Sequence, residues 1–283
     1  MSTGQITIAS CQFAVGASIK QNARQIVNLS HKAKKGGAQI VHFSECALSG
    51  YAGKDFDSID NLDWSLLIEK TELILDLAKT LQLWVVLGST HRLTAPNKPH
   101  NSLYLISPQG RISDRYDKRF CTESDLAYYT PGNRFVIFTI NNVRCALLIC
   151  FDLRFPEIYR ALKAENVQCI FQSFYNARQE KPSVHTYIMR QTMQCHAATN
   201  YFWVSMTNSS GHYSPYASCF ITPDGRIANQ LKQNQPGLMI NAIDTHQQFY
   251  DASERFRPLA MKGILTNAPA EITDPRSQNS TAL

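Results

Sequence analysis

Short apolar runs and longer stretches with helical spacing alternate along the first third of the chain. The runs at residues 5–13, 39–43 and 83–88 are rich in apolar and β-branched side chains, which predicts buried strands. Between them, residues 21–35 and 64–81 place their apolar side chains near one face, which predicts two amphipathic helices. This order of elements indicates helices that cover the face of a sheet.

Turn residues separate the strands predicted farther along the chain. Pro108-Gln109-Gly110 and Asn141-Asn142 each join two apolar runs and predict hairpins. A helix is predicted after Pro156, and the remaining elements are a helix at 184–199 and strands at 168–172, 201–206, 217–221 and 238–243. Because no repeat or linker interrupts this pattern, we predict a single domain over residues 1–266, followed by a polar tail or arm at 267–283.

Composition and charge exclude several classes of protein. A chain of 283 residues with 44% hydrophobic and 18% charged residues buries a large core and is not disordered. The net charge of +6 is scattered, which favours an ordinary surface over a nucleic-acid partner. No apolar run reaches the length of a membrane span, and the first residues do not resemble a signal peptide.

The eight cysteines are spread along the chain and form no C-x-x-C pair. Such spacing is typical neither of a disulfide framework nor of a zinc site, so we expect reduced thiols and a cytoplasmic protein. His185 and His196 can share one helix face, but no third ligand accompanies them, and we predict no metal site.

Polar groups that can perform chemistry stand at the ends of three predicted strands. Cys150 ends the run 143–149 and precedes a helix that begins near Pro156, a position whose N–H groups favour a thiolate. Glu45 and Lys118 also follow strands. A carboxylate, an ammonium group and a thiol in one cleft make a nucleophile, its base and an oxyanion partner. The alternative is a core cysteine, an edge carboxylate and a surface lysine.

These segments resemble the nitrilase, or carbon-nitrogen hydrolase, superfamily. The stretch FSECALSGY at 43–51 is similar to the family's strand that ends in glutamate. Tyr116-Asp117-Lys118 followed by Pro131-Gly132 is similar to the lysine motif, and CFDLRFPE at 150–157 is similar to the cysteine motif. The resemblance extends over about residues 5–260, and three motifs in order are far more specific than one.

The resemblance implies an α/β fold of four layers, an α-β-β-α sandwich whose copies pair through their helices into a dimer or larger homo-oligomer. It implies that Cys150 is the nucleophile, Glu45 the general base and Lys118 the cation beside the oxyanion, with the N–H of Phe151 as a second donor. The expected substrate is a small amide, cleaved through a cysteine thioester to a carboxylic acid and ammonia. No cofactor is implied.

A second carboxylate accompanies the lysine in many members of the family. The loop after Lys118 contains Glu123 and Asp125, and the resemblance favours Glu123 slightly, with Asp125 as the alternative. If neither of them is the carboxylate that accompanies the lysine, both are ordinary loop carboxylates exposed to solvent.

Residues around the motifs are candidates for substrate binding. Arg154 is suited to a substrate carboxylate, since a guanidinium binds carboxylates in a bidentate manner, or else to a structural ion pair with an acid such as Asp152 or Glu157. Tyr51, Tyr175 and Asn176 either line the pocket or pack in the core. Besides an amidase, the sequence leaves open an N-carbamoyl amide hydrolase, a nitrilase, and an inactive binding member of the family.

Overall fold

The computed structural model describes residues 4–268 and 272–281, which form two six-stranded sheets and the helices around them. The first sheet has the strand order β12-β1-β2-β3-β4-β5, with β1 to β3 parallel and the outer strands antiparallel. Its strands are β1 Gln5–Gln12, β2 Ile40–His42, β3 Trp84–His91, β4 His100–Ile106, β5 Ile112–Asp117 and β12 Gly237–Asp244.

The second sheet has the order β11-β10-β9-β8-β7-β6 and is parallel at its centre, from β7 to β9. Its strands are β6 Ile137–Ile140, β7 Val143–Ile149, β8 Cys169–Ser173, β9 Trp203–Thr207, β10 Cys219–Ile221 and β11 Ile227–Gln230. The sequence pattern missed β11, because only Ile227 and the small Ala228 of its four residues are apolar and the strand is largely exposed.

Successive side chains along the strands of the first sheet pack into different apolar cores on the two faces of the sheet. Ile8 and Ile40 point into the apolar core shared with the second sheet. Ala9 and Val41, the next residue along each strand, belong instead to the core formed with the first two helices. A strand buried on both faces reads as a nearly continuous apolar run, which is the pattern seen in the sequence.

Two pairs of helices form the outer layers. Helices α1 (Ile19–Lys35) and α2 (Trp64–Leu81) contribute to the core on the outside of the first sheet, and α3 (Pro156–Ala164) and α4 (Val184–Asn200) to that of the second. Local signals set the helix ends: the side chains of Ser18 and Asp63 cap α1 and α2. The predicted four-layer α-β-β-α sandwich is confirmed.

The chain divides into two compact units, the first extending to Phe249 and the second beginning at Tyr250. The second unit contains the short helices α5 (Arg257–Met261) and α6 (Pro275–Gln278), and an ion pair joins Arg257 to Asp251 within it. This division lies before the predicted boundary at 266/267. Residues 269–271 and 282–283 of the predicted tail, and residues 1–3, lie outside the described residues.

Neither a membrane span nor a metal cluster is found in the described part of the chain. None of its helices combines the length and the apolar character that crossing a bilayer requires. Likewise, none of its groups of histidine, cysteine, aspartate and glutamate side chains is suited to hold a metal ion.

Candidate active site

Cys150 stands where β7 ends and a short 3-10 helix, Cys150–Arg154, begins. Its backbone has a φ of 40°, a conformation that is uncommon for a residue other than glycine. Asp152 holds this turn in place, because its carboxylate accepts hydrogen bonds from the Ile149 N–H at 2.9 Å and the Tyr116 hydroxyl at 2.8 Å. Backbone strain that the surroundings enforce is characteristic of functional positions.

Glu45 follows β2 and is fully buried in contact with both sheets. Its Oε1 accepts from the Nζ of Lys118 at 2.9 Å and from the Nδ2 of Asn101 at 2.7 Å. Its Oε2 accepts from the backbone N–H of Tyr175 at 2.8 Å. Burial raises the pKa of Glu45, and the charge of Lys118 opposes that rise. The three hydrogen bonds hold the carboxylate in one orientation.

Lys118 follows β5 and is only 1% exposed. Its Nζ donates to Glu45 Oε1 at 2.9 Å and to Asp125 Oδ2 at 2.8 Å. Burial works against its charge, but Glu45 and the neighbouring acidic groups prevail and raise the pKa of Lys118 well above its usual value. The lysine is therefore a buried cation between two carboxylates, and not a surface residue.

Asp125, and not Glu123, occupies the second acidic position beside Lys118. Asp125 is buried, and it accepts hydrogen bonds from the Thr122 N–H at 2.9 Å and from the Tyr51 hydroxyl. Burial disfavours its charge, but Lys118 outweighs this and lowers the pKa of Asp125. Glu123 is exposed. The preference for Glu123 is therefore corrected: a turn that opens at Thr122 directs residue 125 inward, and residue 123 faces solvent.

The charges of Glu45 and Lys118 both act on the thiol of Cys150. Burial and the Glu45 carboxylate raise the pKa of Cys150 well above its usual value, and Lys118 opposes them. A neutral thiol is the resting state that these directions favour. Such a thiol requires a base to become a nucleophile, and Glu45 is placed to act as one.

Phe151 is the residue after the thiol in the 3-10 helix. The first N–H groups of a helix have no acceptor within the helix, so the position suits an oxyanion donor. The assignment of the Phe151 N–H to that part stays a prediction.

Three of the four predicted binding residues surround the thiol. Tyr51 and Tyr175 have ring centroids 4.8 Å apart, and the Asn176 Nδ2 lies 3.6 Å from the Cys150 sulfur. Together with Lys118 and Asp125 they line a cavity of about 460 Å³ that reaches Cys150. The structure thus brings Tyr51, Tyr175 and Asn176 to the cluster that contains Lys118 and Cys150, and their part in substrate binding stays a prediction.

Arg154 lies outside this cluster, exposed on the 3-10 helix. Among the described residues it forms no ion pair with an acid, and Asp152 is engaged elsewhere. His185 lines the cavity, and burial together with the positive charge of Arg154 lowers the pKa of His185. Arg154 is therefore near the cavity without lining it.

Several residues of the site were not found from the sequence. Asn101, at the start of β4, donates to Glu45 but carries no motif of its own. Asp55 joins two cavity residues, since it accepts from the Tyr51 N–H and the Tyr175 hydroxyl, both at 2.9 Å. His185 was considered only as a metal ligand. None of the three had a local signal, because the partners of their side chains lie 20 or more residues away, with the exception of Tyr51.

Asp125→Asn is expected to lower kcat by about tenfold or more, because the neutral amide leaves one hydrogen bond of Lys118 without its charge partner. The matched change Glu123→Gln alters an exposed side chain and is expected to leave kcat within about twofold. Steady-state kinetics of both variants checks this. Equal losses in the two would contradict the assignment.

Comparisons with known proteins agree with the fold. A family model described as carbon-nitrogen hydrolase matches residues 7–248. A deaminated glutathione amidase of Dictyostelium discoideum is 27% identical over 248 residues, which cover 80% of this chain and 83% of that protein. An omega-amidase of Bos taurus is 28% identical over 161 residues, which cover 53% of this chain and 56% of that protein.

The chain spans about half the length of some of the curated relatives that it matches, such as this omega-amidase and nitrilase homolog 2 of Dictyostelium discoideum, at 56% and 48%. Among solved structures, an amidase of Nesterenkonia from the nitrilase superfamily has a TM-score of 0.76 at 18% identity, with 94% of this chain and 98% of that chain covered. That likeness shows the shared fold. With the family model matched over most of its length, the chain belongs to the carbon-nitrogen hydrolase family.

Proposed function

We propose that the protein hydrolyses a small amide to a carboxylic acid and ammonia through a thioester on Cys150. The observation that carries the proposal is the convergence of Glu45, Lys118 and Cys150, of which Lys118 and Cys150 line a cavity of about 460 Å³. A thiol, a fixed carboxylate and a buried ammonium group supply the nucleophile, the base and the charge that acyl transfer requires.

In the first half of the reaction, the Cys150 sulfur attacks the amide carbonyl while Glu45 takes the thiol proton. The negative charge that develops on the carbonyl oxygen is stabilised by Lys118 and by the N–H of Phe151. Glu45 then gives its proton to the departing nitrogen, the C–N bond breaks, and ammonia leaves. The product of this half is an acyl thioester on Cys150 and an ionised Glu45.

In the second half, a water molecule attacks the thioester while Glu45 takes one of its protons. The oxyanion again lies against Lys118 and the Phe151 N–H. Collapse of this intermediate breaks the C–S bond, the sulfur regains the proton from Glu45, and the carboxylic acid leaves. Glu45 therefore acts twice as base and twice as acid, which explains why three separate donors hold its two oxygens.

Relatives support the covalent step. A structure of the Nesterenkonia amidase shows the acetamide moiety of fluoroacetamide added covalently at its active-site cysteine. Relatives described as omega-amidase and deaminated glutathione amidase support an amide substrate over a nitrile. In the proposal, Tyr51, Tyr175 and Asn176 contact the substrate, and Arg154 attracts a distal carboxylate.

The test is ammonia release from a panel of simple primary amides, ω-amides of dicarboxylic acids, N-carbamoyl amines and nitriles. We expect release from primary amides, and a higher kcat/KM for those with a distal carboxylate, because the cations Lys54 and Arg178 line the cavity and Arg154 lies near it. Release from N-carbamoyl amines alone would favour that alternative. Release from no compound, with ordinary thiol reactivity at Cys150, would favour an inactive binding member.

We further propose that copies of the chain pair through the outer helices of the second sheet and that the protein works in the cytoplasm. Val184 and Tyr187, three residues apart on α4, are 59% and 68% exposed and form a small apolar surface that pairing would cover. All eight cysteines are free, as a reducing compartment maintains them. Sedimentation equilibrium of the full chain tests the pairing.

A further inference from the structure

A histidine lies buried between the two sheets, behind the catalytic cluster. His42 is the last residue of β2 and precedes Glu45 by three positions. Its side chain is fully buried. Its Nδ1 lies 2.8 Å from the Ser205 hydroxyl. Its Nε2 lies 2.8 Å from the Ser173 hydroxyl and 3.2 Å from the Thr207 hydroxyl, and all three residues belong to the second sheet. The ring therefore bridges the sheets.

The direction of each hydrogen bond follows from the partners. Ser173 donates its hydroxyl hydrogen to the carbonyl of Phe43 at 2.9 Å, so the same oxygen accepts from the Nε2–H of His42. The opposite nitrogen, Nδ1, then accepts from the Ser205 hydroxyl, which in turn accepts from Ser10 at 2.7 Å. A neutral ring with its proton on Nε2 satisfies every partner. Burial lowers the pKa of His42 to about 3, which agrees with this neutral form.

This bridge is connected to the backbone that carries the general base. The Phe43 carbonyl, two residues before Glu45, accepts from Ser173 and also from the Thr207 hydroxyl at 3.1 Å. Beyond it, the Glu45 N–H donates to the Phe174 carbonyl at 3.3 Å. The Tyr175 N–H completes the connection by donating to Glu45 Oε2 at 2.8 Å. The ends of β2 and β8 are therefore tied together at the general base.

The catalytic groups come from different sheets, which makes such a tie important. Glu45 and Lys118 follow strands of the first sheet, and Cys150 follows a strand of the second. Apolar packing between sheets is not directional and allows small shifts, whereas hydrogen bonds fix distance and angle. Because proton transfer needs a short distance between base and thiol, a shift of about 1 Å between the sheets costs on the order of a hundredfold in rate.

We propose that His42 is a positioning residue that fixes the first sheet against the second through Ser173 and Ser205, and so sets Glu45 against Cys150. It touches neither the thiol nor the substrate cavity. The inference rests on the proposed function for the meaning of the cluster, and it assigns to this chain a specific device that aligns the two halves of the site.

The test compares His42→Leu with Ile40→Ala. Ile40 lies two residues earlier on the same strand and packs in the same inter-sheet core, so its truncation loosens the packing without removing a hydrogen bond. His42→Leu is expected to lower kcat by about tenfold to a hundredfold with KM nearly unchanged, and to slow alkylation of Cys150 by iodoacetamide to a similar extent. Ile40→Ala is expected to lower the melting temperature while both rates stay within about threefold.

Two milder variants keep the test decisive if His42→Leu does not fold. Ser173→Ala retains the ring but removes the nearer of the two hydroxyls that Nε2 contacts, and we expect it to slow both rates severalfold. His42→Gln can still donate to Ser173, and we expect its rates to lie between those of His42→Leu and the unchanged protein. Normal kcat and alkylation in every folded variant of this set overturn the proposal and leave His42 a purely structural residue.

Nitrogen NMR of protein labelled in its histidines provides a readout that does not depend on turnover. His42 is expected to show a neutral ring protonated on Nε2 at pH 7, and the same signals at pH 5. A charged ring or a proton on Nδ1 contradicts the hydrogen-bond directions above. Failure of the unchanged protein to hydrolyse any amide would count against the proposed function, whereas normal turnover in His42→Leu would count against this inference alone.

Discussion

Cys150→Ala is expected to abolish amide hydrolysis, with kcat falling by about 10⁵-fold or more, as removal of a nucleophile does in enzymes whose catalytic groups act as a unit. The methyl group of alanine cannot form the thioester, and it has no acidic proton that Glu45 could remove. Steady-state ammonia release, measured with the amide that the unchanged protein cleaves best, checks the loss.

The variant should retain its fold, because alanine removes one atom from a cavity wall and meets the same backbone φ of 40° as the cysteine. Cys195→Ala is the matched control, since Cys195 is exposed on α4 and its removal is expected to leave kcat unchanged. Mass spectrometry of acid-quenched reactions adds a direct test. The unchanged protein should gain the mass of the acyl group, and Cys150→Ala should not. Residual turnover above about 1% would transfer the role of nucleophile to another group.

Lys118→Met is expected to have the second largest effect, on stability as well as on rate. The lysine forms ion pairs with Glu45 and Asp125 at 2.9 and 2.8 Å, and all three side chains are buried. Methionine fills the space but leaves two carboxylates without a cation. Breaking a buried pair in this way typically costs about 3–5 kcal/mol in the free energy of unfolding. The rate should fall by about 10²-fold or more, because the oxyanion loses its charged partner.

The loss of stability should depend on pH in a definite direction. Without the lysine, burial and mutual repulsion raise the pKa of both carboxyl groups in the folded protein above their values in the unfolded chain. A group whose pKa is higher in the folded protein than in the unfolded chain contributes stability that is fully present below the pKa of the unfolded chain. This contribution disappears as pH rises through the pKa of the folded protein. The carboxyl groups of the folded Lys118→Met variant therefore take up protons as pH falls from 7 to 5. Its loss in free energy of unfolding, relative to the unchanged protein, should become smaller over this range.

Urea unfolding at pH 5 and pH 7 measures this difference. Lys70→Met is the control, because Lys70 forms a surface ion pair with Glu69 whose removal should cost less than about 1 kcal/mol at either pH. A deficit in Lys118→Met that is the same at both pH values would show that the carboxylates remain charged and are stabilised by other groups, such as Asn101 and the Tyr175 N–H.

Secondary structure followed from the sequence wherever buried apolar side chains marked an element, either at a regular period or as a continuous run. The helix predicted at 64–81 is α2 (Trp64–Leu81), and the strand predicted at 143–149 is β7 (Val143–Ile149). In α2 the apolar side chains recur on the face that packs against the sheet, and in β7 they form a nearly continuous run because both faces of the strand are buried. β11 was missed for the same reason, since an exposed strand has no apolar period to detect.

The second acidic position shows the limit of motif spacing. Glu123 and Asp125 lie two residues apart in a loop, and the type of side chain favoured the wrong one. A turn in which the Asp125 N–H donates to the Thr122 hydroxyl at 3.1 Å selects Asp125, together with the ion pair to Lys118. Loop side chains are positioned by contacts with distant residues, which local sequence does not contain.

By itself, the sequence determined most of the strands and helices, the family resemblance and the three candidate groups Glu45, Lys118 and Cys150, because each of these depends on local spacing or on a motif within a few residues. Only the tertiary structure decided which carboxylate pairs with Lys118, that Asn101 and Tyr175 orient Glu45, and that His42 bridges the sheets. Most of those contacts join residues 50 or more positions apart. They depend on how the two sheets align in space, and no local pattern of apolar and polar residues specifies that alignment.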